Sequence, residues 1–173
     1  MTVRDAFLYH HQMPLIYLET SIRAPRRRVF DLARSIDAHQ HTTASTQETA
    51  VAGVVSGLLG AGEEVTWEAR HFGVKQRLTV KMTRLEPPHS FQDVMLRGAF
   101  SEMRHEHRFE EKNGGTLMID RFYYTAPLGL LGRLAEVLFL TRYMRGFLAT
   151  RNSILKETAE SEVWRKYLDD KGV

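Results

Sequence analysis

The stretch Ser101-Glu-Met-Arg-His-Glu-His-Arg-Phe-Glu-Glu111 alternates strictly between two kinds of side chain. Its even-numbered residues are charged, and the odd-numbered residues between its ends are Met103, His105, His107 and Phe109. Because successive side chains of a strand point to opposite faces, this period predicts a β-strand with one solvated face and one covered face. A covered face that carries two histidines beside Met and Phe is typical of a lined cavity rather than a dry core.

The composition is that of one globular domain. The chain has 173 residues, of which 43% are hydrophobic and 26% charged, and this length suits a single hydrophobic core. There is no cysteine, which excludes disulfides and thiolate chemistry. A cytoplasmic location is compatible with this and is the one that we predict. We expect no signal peptide, because Arg4 and Asp5 interrupt the N-terminus, and no membrane span, because Arg133 and Glu136 interrupt the longest apolar stretch.

The charge pattern argues against nucleic acid as a partner. The formal net charge is only +3, and the densest basic run is Arg26-Arg27-Arg28 in the first turn of a predicted helix. A nucleic-acid-binding surface would need a basic face with aromatic platforms, and the sequence shows no such organisation. We therefore predict no nucleic-acid binding. The oligomeric state stays open, with a homodimer among the alternatives.

The predicted elements begin with a strand and two short helices. The strand covers residues 15–23, and the helices run from Pro25 to about Arg34 and from Ile36 to His41, the second capped by Ser35. Alternation and turn residues then predict six strands at 48–56, 63–72, 74–85, 89–97, 101–111 and 116–125.

A long helix, predicted from Pro127 to roughly Glu160, completes the domain. We treat residues 1–173 as one domain, with residues 1–13 as an N-terminal arm and residues 161–173 as a tail. The tail either frays or is anchored by Trp164 and Tyr167. An antiparallel sheet linked by hairpins curls, and one long helix can close its concave side. The prediction is an α+β fold with an internal cavity, since one helix rarely fills that space.

Several pieces of the sequence carry a resemblance to a known group of proteins. They are Thr20-Ser-Ile-Arg-Ala-Pro25 with Val29-Phe30-Asp31, Val65-Thr-Trp-Glu-Ala-Arg-His-Phe-Gly73, Pro87-Pro88 with Phe91-Gln-Asp93, Gly98-Ala-Phe100, and His105-Glu-His107 with Phe109. Over nearly the whole chain they resemble the START-like helix-grip (SRPBCC) superfamily of START domains, the birch pollen allergen and polyketide cyclases. The later pieces resemble a bacterial cyclase-like subgroup. The resemblance implies a hydrophobic-ligand pocket between the curved sheet and the C-terminal helix. It implies no cofactor and no universal catalytic residue.

The predicted ligand-binding residues share the inferred concave face or the helix opposite it. They are Trp67, His71, Asp93, His105, His107, Asp120 and Tyr124 from the strands, and Leu131, Leu134 and Leu138 from the helix. Five polar groups on covered faces must find partners, because a buried polar group without one costs about 1–3 kcal/mol. A structural His–Asp network, a ligand-orienting network and acid–base catalysis by His105, His107 or Asp120 all remain open.

A metal site is a more specific alternative to these interpretations of the histidines, and we do not predict one. His105 and His107 place two imidazoles on one strand face, with His71 as the candidate for a third ligand, but a two-histidine pair alone is weak evidence. No serine nucleophile elbow occurs, since Gly53-Val-Val-Ser-Gly57 has the wrong spacing. The sequence therefore predicts a domain that binds a hydrophobic or amphipathic small molecule. The alternatives are an enzyme of the cyclase, dehydratase or hydrolase type and a membrane- or protein-interaction module.

Overall fold

The computed structural model describes residues 13–169, so the arm predicted for residues 1–13 lies outside it except for residue 13. Seven strands occur: β1 Leu15–Ile22, β2 Thr49–Gly53, β3 Glu64–His71, β4 Val74–Glu86, β5 Ser90–Arg97, β6 Glu102–Lys112 and β7 Gly115–Thr125. The helices are α1 Arg26–Ala33, α2 Ile36–Thr42, α3 Gly129–Ala135 and α4 Thr141–Glu160. A 3-10 turn at Ala44–Thr46, a π turn at Glu136–Leu140 and a 3-10 turn at Glu162–Lys166 complete the elements.

All strand pairs are antiparallel, in the order β1-β7-β6-β5-β4-β3-β2. The β6–β7 hairpin turns at Asn113 and Gly114, whose φ angles of 53° and 74° suit the left-handed turn predicted there. Its register places His107 opposite Asp120, and β5 places Asp93 opposite His105. The fold therefore brings three strands' polar residues together at one place on the sheet.

The curved sheet wraps around α4, as the sequence predicts. Register shifts in the β2–β3 and β4–β5 pairs bend the sheet, because an extra residue on one strand increases the local twist. On β6 the odd-numbered residues from Met103 to Phe109 are buried, whereas Arg104 and Glu106 are partly exposed and Arg108 is exposed. The strict alternation of this stretch thus assigned its two faces correctly. The two short helices after β1 add Val29, Phe30 and Ile36 to the same core, among other residues.

The long C-terminal helix predicted from Pro127 to roughly Glu160 is confirmed, since helical residues run without a break from Gly129 to Glu160, with two local differences. Leu128 has a φ of 71°, so α3 begins only at Gly129, and a π turn then separates α3 from α4. The wider π turn rotates the following residues relative to an uninterrupted α-helix. Consequently only α4 supplies the long buried stripe, which includes Met144, Leu148 and Leu155.

The segment after Ser161 is anchored through residue 169. Trp164 is buried, and the guanidinium of Arg28 lies 4.2 Å from the centre of its ring. Tyr167 packs partly buried against the core. Of the two outcomes left open for this tail, anchoring by its aromatic residues is the one observed in the described part of the chain. Among residues 13–169 no helix combines the length and apolar character needed to cross a bilayer.

Candidate functional site

An internal cavity lies between the concave face of the sheet and α4. Its volume is about 290 Å³, at the lower end of the range of roughly 300–1,000 Å³ that is typical of small-molecule sites. The wall is mainly apolar, and its polar side chains include Asp93, Arg151 and members of two clusters. The apolar wall includes Trp67, Val80 and Phe91 from the sheet and Met144, Phe147 and Leu148 from α4.

The first cluster, which we call the Asp120 cluster, consists of His105, His107, Asp120 and Asn152. Asp120 is buried and accepts hydrogen bonds from His105 Nε2 at 3.0 Å and from Asn152 Nδ2 at 2.7 Å. His107 Nδ1 lies 2.7 Å from Asp120 Oδ1, although this short contact lacks good hydrogen-bond geometry. The two imidazole rings are 3.8 Å apart. Every member of the cluster is therefore held in place by the protein itself.

The protonation states in this cluster follow from its burial. Burial opposes ionisation of Asp120, but the hydrogen bond from His105 and the adjacent His107 outweigh it and keep the pKa of Asp120 well below its usual value. Burial lowers the pKa of His105, and burial together with His105 lowers the pKa of His107 to about 3. The cluster at neutral pH is an ionised carboxylate facing two neutral imidazoles.

These states determine the tautomer of His107. An ionised carboxylate only accepts hydrogen bonds, so the ring nitrogen that faces Asp120 must carry the proton. For neutral His107 this nitrogen is Nδ1, which leaves Nε2 as an acceptor. That nitrogen lies 3.9 Å from Asp93 Oδ2, too far for a direct hydrogen bond. A basic nitrogen and a carboxyl group thus face each other across a gap.

Asp93 is a cavity residue whose hydrogen-bonding capacity the protein does not satisfy. Its Oδ1 is buried without a hydrogen-bond partner among residues 13–169. Burial raises the pKa of this carboxyl to about 7, against the opposing positive charge of Arg151. The side chain retains 18% of its accessible surface, and Asp93 lines the cavity. Asp93 therefore carries a proton in a large share of molecules at neutral pH and has unused hydrogen-bonding capacity.

The second cluster, which we call the Glu48 cluster, consists of His39, Glu48, His71 and Tyr143. Glu48 Oε2 lies 2.7 Å from His39 Nε2, and His71 Nδ1 lies 2.7 Å from the hydroxyl of Tyr143. Burial opposes ionisation of Glu48, but the hydrogen bond with His39 and the nearby His71 hold its pKa below the usual value. Burial lowers the pKa of His71. This cluster joins α2, β3 and α4 across one side of the cavity.

Five of the predicted residues line the cavity: Trp67, His71, Asp93, His105 and His107. Asp120 lies one layer deeper and acts on the cavity through the two histidines. Tyr124 is fully buried, and its hydroxyl hydrogen-bonds Thr141 Oγ1 at 2.6 Å at the start of α4. It supports the helix instead of facing the cavity.

The predicted closure of the cavity by Leu131, Leu134 and Leu138 is wrong. These side chains are 71%, 56% and 67% exposed, because α3 and the π turn project away from the core. Their place is taken by Leu140, the last residue of the π turn, and by α4 residues from Tyr143 to Leu148. The bend at Leu128 and the π turn, neither of which follows from apolar spacing, cause this difference.

The sequence reasoning also missed His39, Glu48, Tyr143 and Arg151. Arg151 lines the cavity from α4, and its guanidinium donates to the Ala33 carbonyl oxygen and to Asn152 Oδ1, both at 3.4 Å. An arginine within the buried stripe of a helix is a signal that would have pointed to it, since arginine is almost never fully buried without a partner. The other three residues gave no comparable signal, because they sit in short elements or on the flank of α4.

A cation could be held by three donors of the Asp120 cluster. Candidate ligand atoms of His105, His107 and Asp120 lie within 4.8 Å of one another. His71, the third ligand weighed from the sequence, belongs to the Glu48 cluster instead. A bound cation would have to replace the hydrogen bond between His105 and Asp120. That a tightly held metal is absent stays a prediction, and elemental analysis after dialysis against chelator tests it.

No protein-family profile and no curated protein sequence matches the chain. Solved structures do match it. The structure of TTHA0849 from Thermus thermophilus superposes with a TM-score of 0.71 at 20% identity, covering 84% of this chain and 97% of that one. Ginseng major latex-like protein 151 from Panax ginseng gives 0.64 at 13% identity, covering 86% and 98%. A START superfamily protein from Mycobacterium smegmatis gives 0.63 at 10% identity, covering 84% and 97%.

Identities this low establish the fold alone. The chain has the START-like helix-grip fold, with a curved seven-stranded antiparallel sheet, two short helices after the first strand and a C-terminal helix in its grip. The fold predicted from the sequence is confirmed.

Proposed function

We propose that this protein binds an amphipathic small molecule in the cavity between the sheet and α4. The observation that carries the proposal is a mainly apolar cavity lined by Asp93, whose Oδ1 is buried without a partner within residues 13–169 and whose Oδ2 lies 3.9 Å from His107 Nε2. Burying such a group without a partner costs free energy, and a ligand that supplies the partner recovers it. Trp67 and Phe91 offer apolar surface for the body of the ligand.

The polar end of the site favours a neutral hydroxyl group. His107 Nε2 accepts, and protonated Asp93 both donates and accepts, so a hydroxyl placed between them can satisfy both residues. Between His107 Nε2 and Asp93, away from the guanidinium of Arg151, a carboxylate would direct its lone pairs at an acceptor and would repel the ionised fraction of Asp93. A phenol or aliphatic alcohol with a hydrophobic body fits this pattern better than the matching acid.

Native mass spectrometry, followed by organic extraction of protein purified without denaturation, would identify a bound ligand directly. A complementary titration uses N-phenylnaphthylamine, with Trp67 in the cavity wall as the energy-transfer donor. Ala69→Phe fills the cavity from β3 and should abolish binding, whereas Ala52→Phe on exposed β2 should leave it unchanged. Equal binding by both variants, or none by the wild type, contradicts the proposal.

Naphthol and naphthoate test the hydroxyl preference, because they share an apolar body. Naphthol should bind the wild type about tenfold more tightly, since it gains one or two buried hydrogen bonds. Asp93→Leu should remove that preference while retaining binding of the apolar body. Tighter binding of naphthoate than of naphthol by the wild type would refute the assignment of the polar end.

Acid–base catalysis is the second candidate function, and the pairing of His107 with Asp93 favours it. The lowered pKa makes His107 a weak base, so proton abstraction by its Nε2 from a carbon next to a carbonyl group needs simultaneous proton donation from Asp93 to the carbonyl oxygen, which gives the enol. Asp120 orients the ring and stabilises it when it is charged. In the reverse reaction His107 returns the proton to the carbon and Asp93 takes the proton of the enol oxygen, which restores the ketone.

Deuterium exchange into β-tetralone in heavy water measures this reaction without knowledge of the natural substrate. Enolisation in the cavity should incorporate deuterium next to the carbonyl faster than buffer does, and Asp93→Asn and His107→Gln should each slow it. Exchange at the buffer rate in the presence of wild-type protein, with β-tetralone shown to bind, leaves binding alone as the function.

A further inference from the structure

The surface of α3 and the π turn is unusually apolar. We call it the apolar collar, and its exposed side chains are Leu128, Leu130, Leu131, Leu134, Val137, Leu138 and Phe139. Leu130 and Val137 are 82% and 84% exposed. Exposed apolar residues are common singly, but a contiguous cluster of this kind marks an interaction site.

The apolar collar protrudes from the domain. Within α3 and the π turn, Gly132 and Glu136 are the buried residues. A side chain at Gly132 would collide with the Pro127 carbonyl oxygen, and Glu136 Oε1 accepts from the Ala126 N–H. This buried side attaches the segment to the domain. Apolar side chains occupy a broad arc of the exposed circumference that is left. Such an arc is wider than the single stripe that packs on one flat partner.

Within the segment that carries the apolar collar, the exposed charges are all positive. Between Pro127 and Asn152 the exposed charged residues are Arg133, Arg142 and Arg145, and the one acidic residue, Glu136, is buried. Arg145 donates to the Tyr17 carbonyl oxygen. An apolar protrusion flanked by arginines complements a surface with an apolar interior and anionic headgroups.

The collar also adjoins one wall of the cavity. Phe72, at the tip of the β3–β4 hairpin, lies 5.8 Å from the ring of Phe139 and 4.3 Å from the ring of Tyr143. Phe72 and Tyr143 line the cavity on one side and a surface groove with Leu138 and Phe139 on the other. These aromatic rings therefore separate the cavity from the collar.

We propose that the apolar collar docks this protein on an anionic lipid bilayer, with α3 and the π turn inserted among the headgroups. Docking there places the Phe72–Tyr143 side of the cavity against the membrane, so a hydrophobic molecule can pass between bilayer and cavity without crossing water. A second copy of the chain is a poorer occupant, because two collars would bring their arginines into mutual repulsion. The membrane role goes beyond ligand binding and does not depend on catalysis.

Vesicle flotation tests the proposal. The full chain should bind vesicles of equal parts phosphatidylglycerol and phosphatidylcholine, bind pure phosphatidylcholine vesicles more weakly, and dissociate as salt is raised. Leu130→Glu with Val137→Glu should lower binding at least about tenfold, because it puts two charges into the inserted segment. The matched control is Val55→Glu, since Val55 is also an exposed apolar residue but lies far along the chain from the collar. This variant should bind the vesicles as the wild type does.

Arg142→Gln should weaken binding to the anionic vesicles about fivefold, whereas Arg108→Gln on exposed β6 should not. Failure of the wild type to float with anionic vesicles overturns the proposal, as does unchanged binding by the double Glu variant. A wild-type dimer that the double variant converts to monomer, with no vesicle binding, shows a protein interface instead. The double Glu variant should still bind N-phenylnaphthylamine, so loss of docking and loss of ligand binding are separable.

Discussion

Asp120 is the residue on which the polar side of the cavity depends. It accepts from His105 and Asn152 and faces the protonated nitrogen of His107. Asp120→Asn keeps the shape but turns an N–H donor towards other donors, so we expect a loss of about 3 kcal/mol in the free energy of unfolding. Urea denaturation measures this. Glu110→Gln, on the outer face of β6, should change stability by less than about 0.5 kcal/mol, and equal effects would contradict a central role for Asp120.

The raised pKa of the Asp93 carboxyl predicts how the free energy of unfolding changes with pH. Its pKa is raised from 3.8 to about 7 in the folded protein. As pH rises through this window the unfolded chain loses the proton while the folded chain keeps it, so the free energy of unfolding falls. Asp93→Asn removes this loss. The stability of the variant minus that of the wild type should therefore grow by up to about 4 kcal/mol between about pH 4 and pH 8.

His107 acts on stability in the opposite direction. Its pKa is lowered from 6.5 to about 3, so its contribution is present above the unfolded value and is lost as pH falls towards 3. Both proteins in the Asp93→Asn comparison carry His107, so its effect cancels to first order in the difference. Urea midpoints at several pH values provide the measurement. A difference that is flat with pH would show that Asp93 ionises as freely in the cavity as in water.

At the scale of single elements, alternation was the most reliable guide. The period of β6 placed His105 and His107 on the concave face and Arg108 outside, because a slip by one residue would have buried its charges. Alternation predicts which face of the sheet a side chain lies on. It does not predict whether the cavity or the helix α4 lies over that side chain. Asp93 lies under the cavity, whereas Asp120 and Tyr124, on equally concave positions of β7, lie under Asn152 and Thr141 of α4. Only the position of α4 distinguishes these cases.

The helical segments were less predictable, for an equally physical reason. Apolar spacing cannot distinguish a buried stripe from an exposed apolar surface, and both occur between Pro127 and Glu160. Leu128 is left-handed, and the π turn is tied to β7 and the residue after it by Glu136 and Thr141, contacts that apolar spacing does not predict. The exposed leucines of α3 were therefore assigned to the cavity wall.

Glu136 is expected to hold α3 against the sheet. Its Oε1 accepts from the Ala126 N–H at 2.5 Å, and its carbonyl oxygen accepts from Thr141 Oγ1 at 2.8 Å. Glu136→Ala should leave the Ala126 N–H without its partner and raise amide exchange in residues 127–140 about tenfold. Exchange in β6 should not change, since α3 adds little to the core. Arg133→Ala on the exposed side of α3 is the control, and equal exchange in both variants would contradict this role.

For the whole molecule, the cavity couples the sheet to α4. Its wall contains residues of five strands together with α4, so a ligand contacts groups that separate on unfolding. The two polar clusters also connect the sheet with α4. Asn152 of α4 donates to Asp120 of β7, and Tyr143 of α4 hydrogen-bonds His71 of β3. Occupation of the cavity and stability of the fold should thus be linked.

This linkage gives a prediction that covers the entire domain. A molecule that binds only the folded chain, at a free concentration of about 100 times its Kd, adds about 2.7 kcal/mol to the free energy of unfolding. For a chain of this length we expect N-phenylnaphthylamine to raise Tm by about 5–10 °C under those conditions. Calorimetric titration should give a negative heat-capacity change, because apolar surface leaves water. Ala69→Phe should show neither effect; a similar rise in Tm for that variant would mean that the probe binds outside the cavity, for example on the apolar collar.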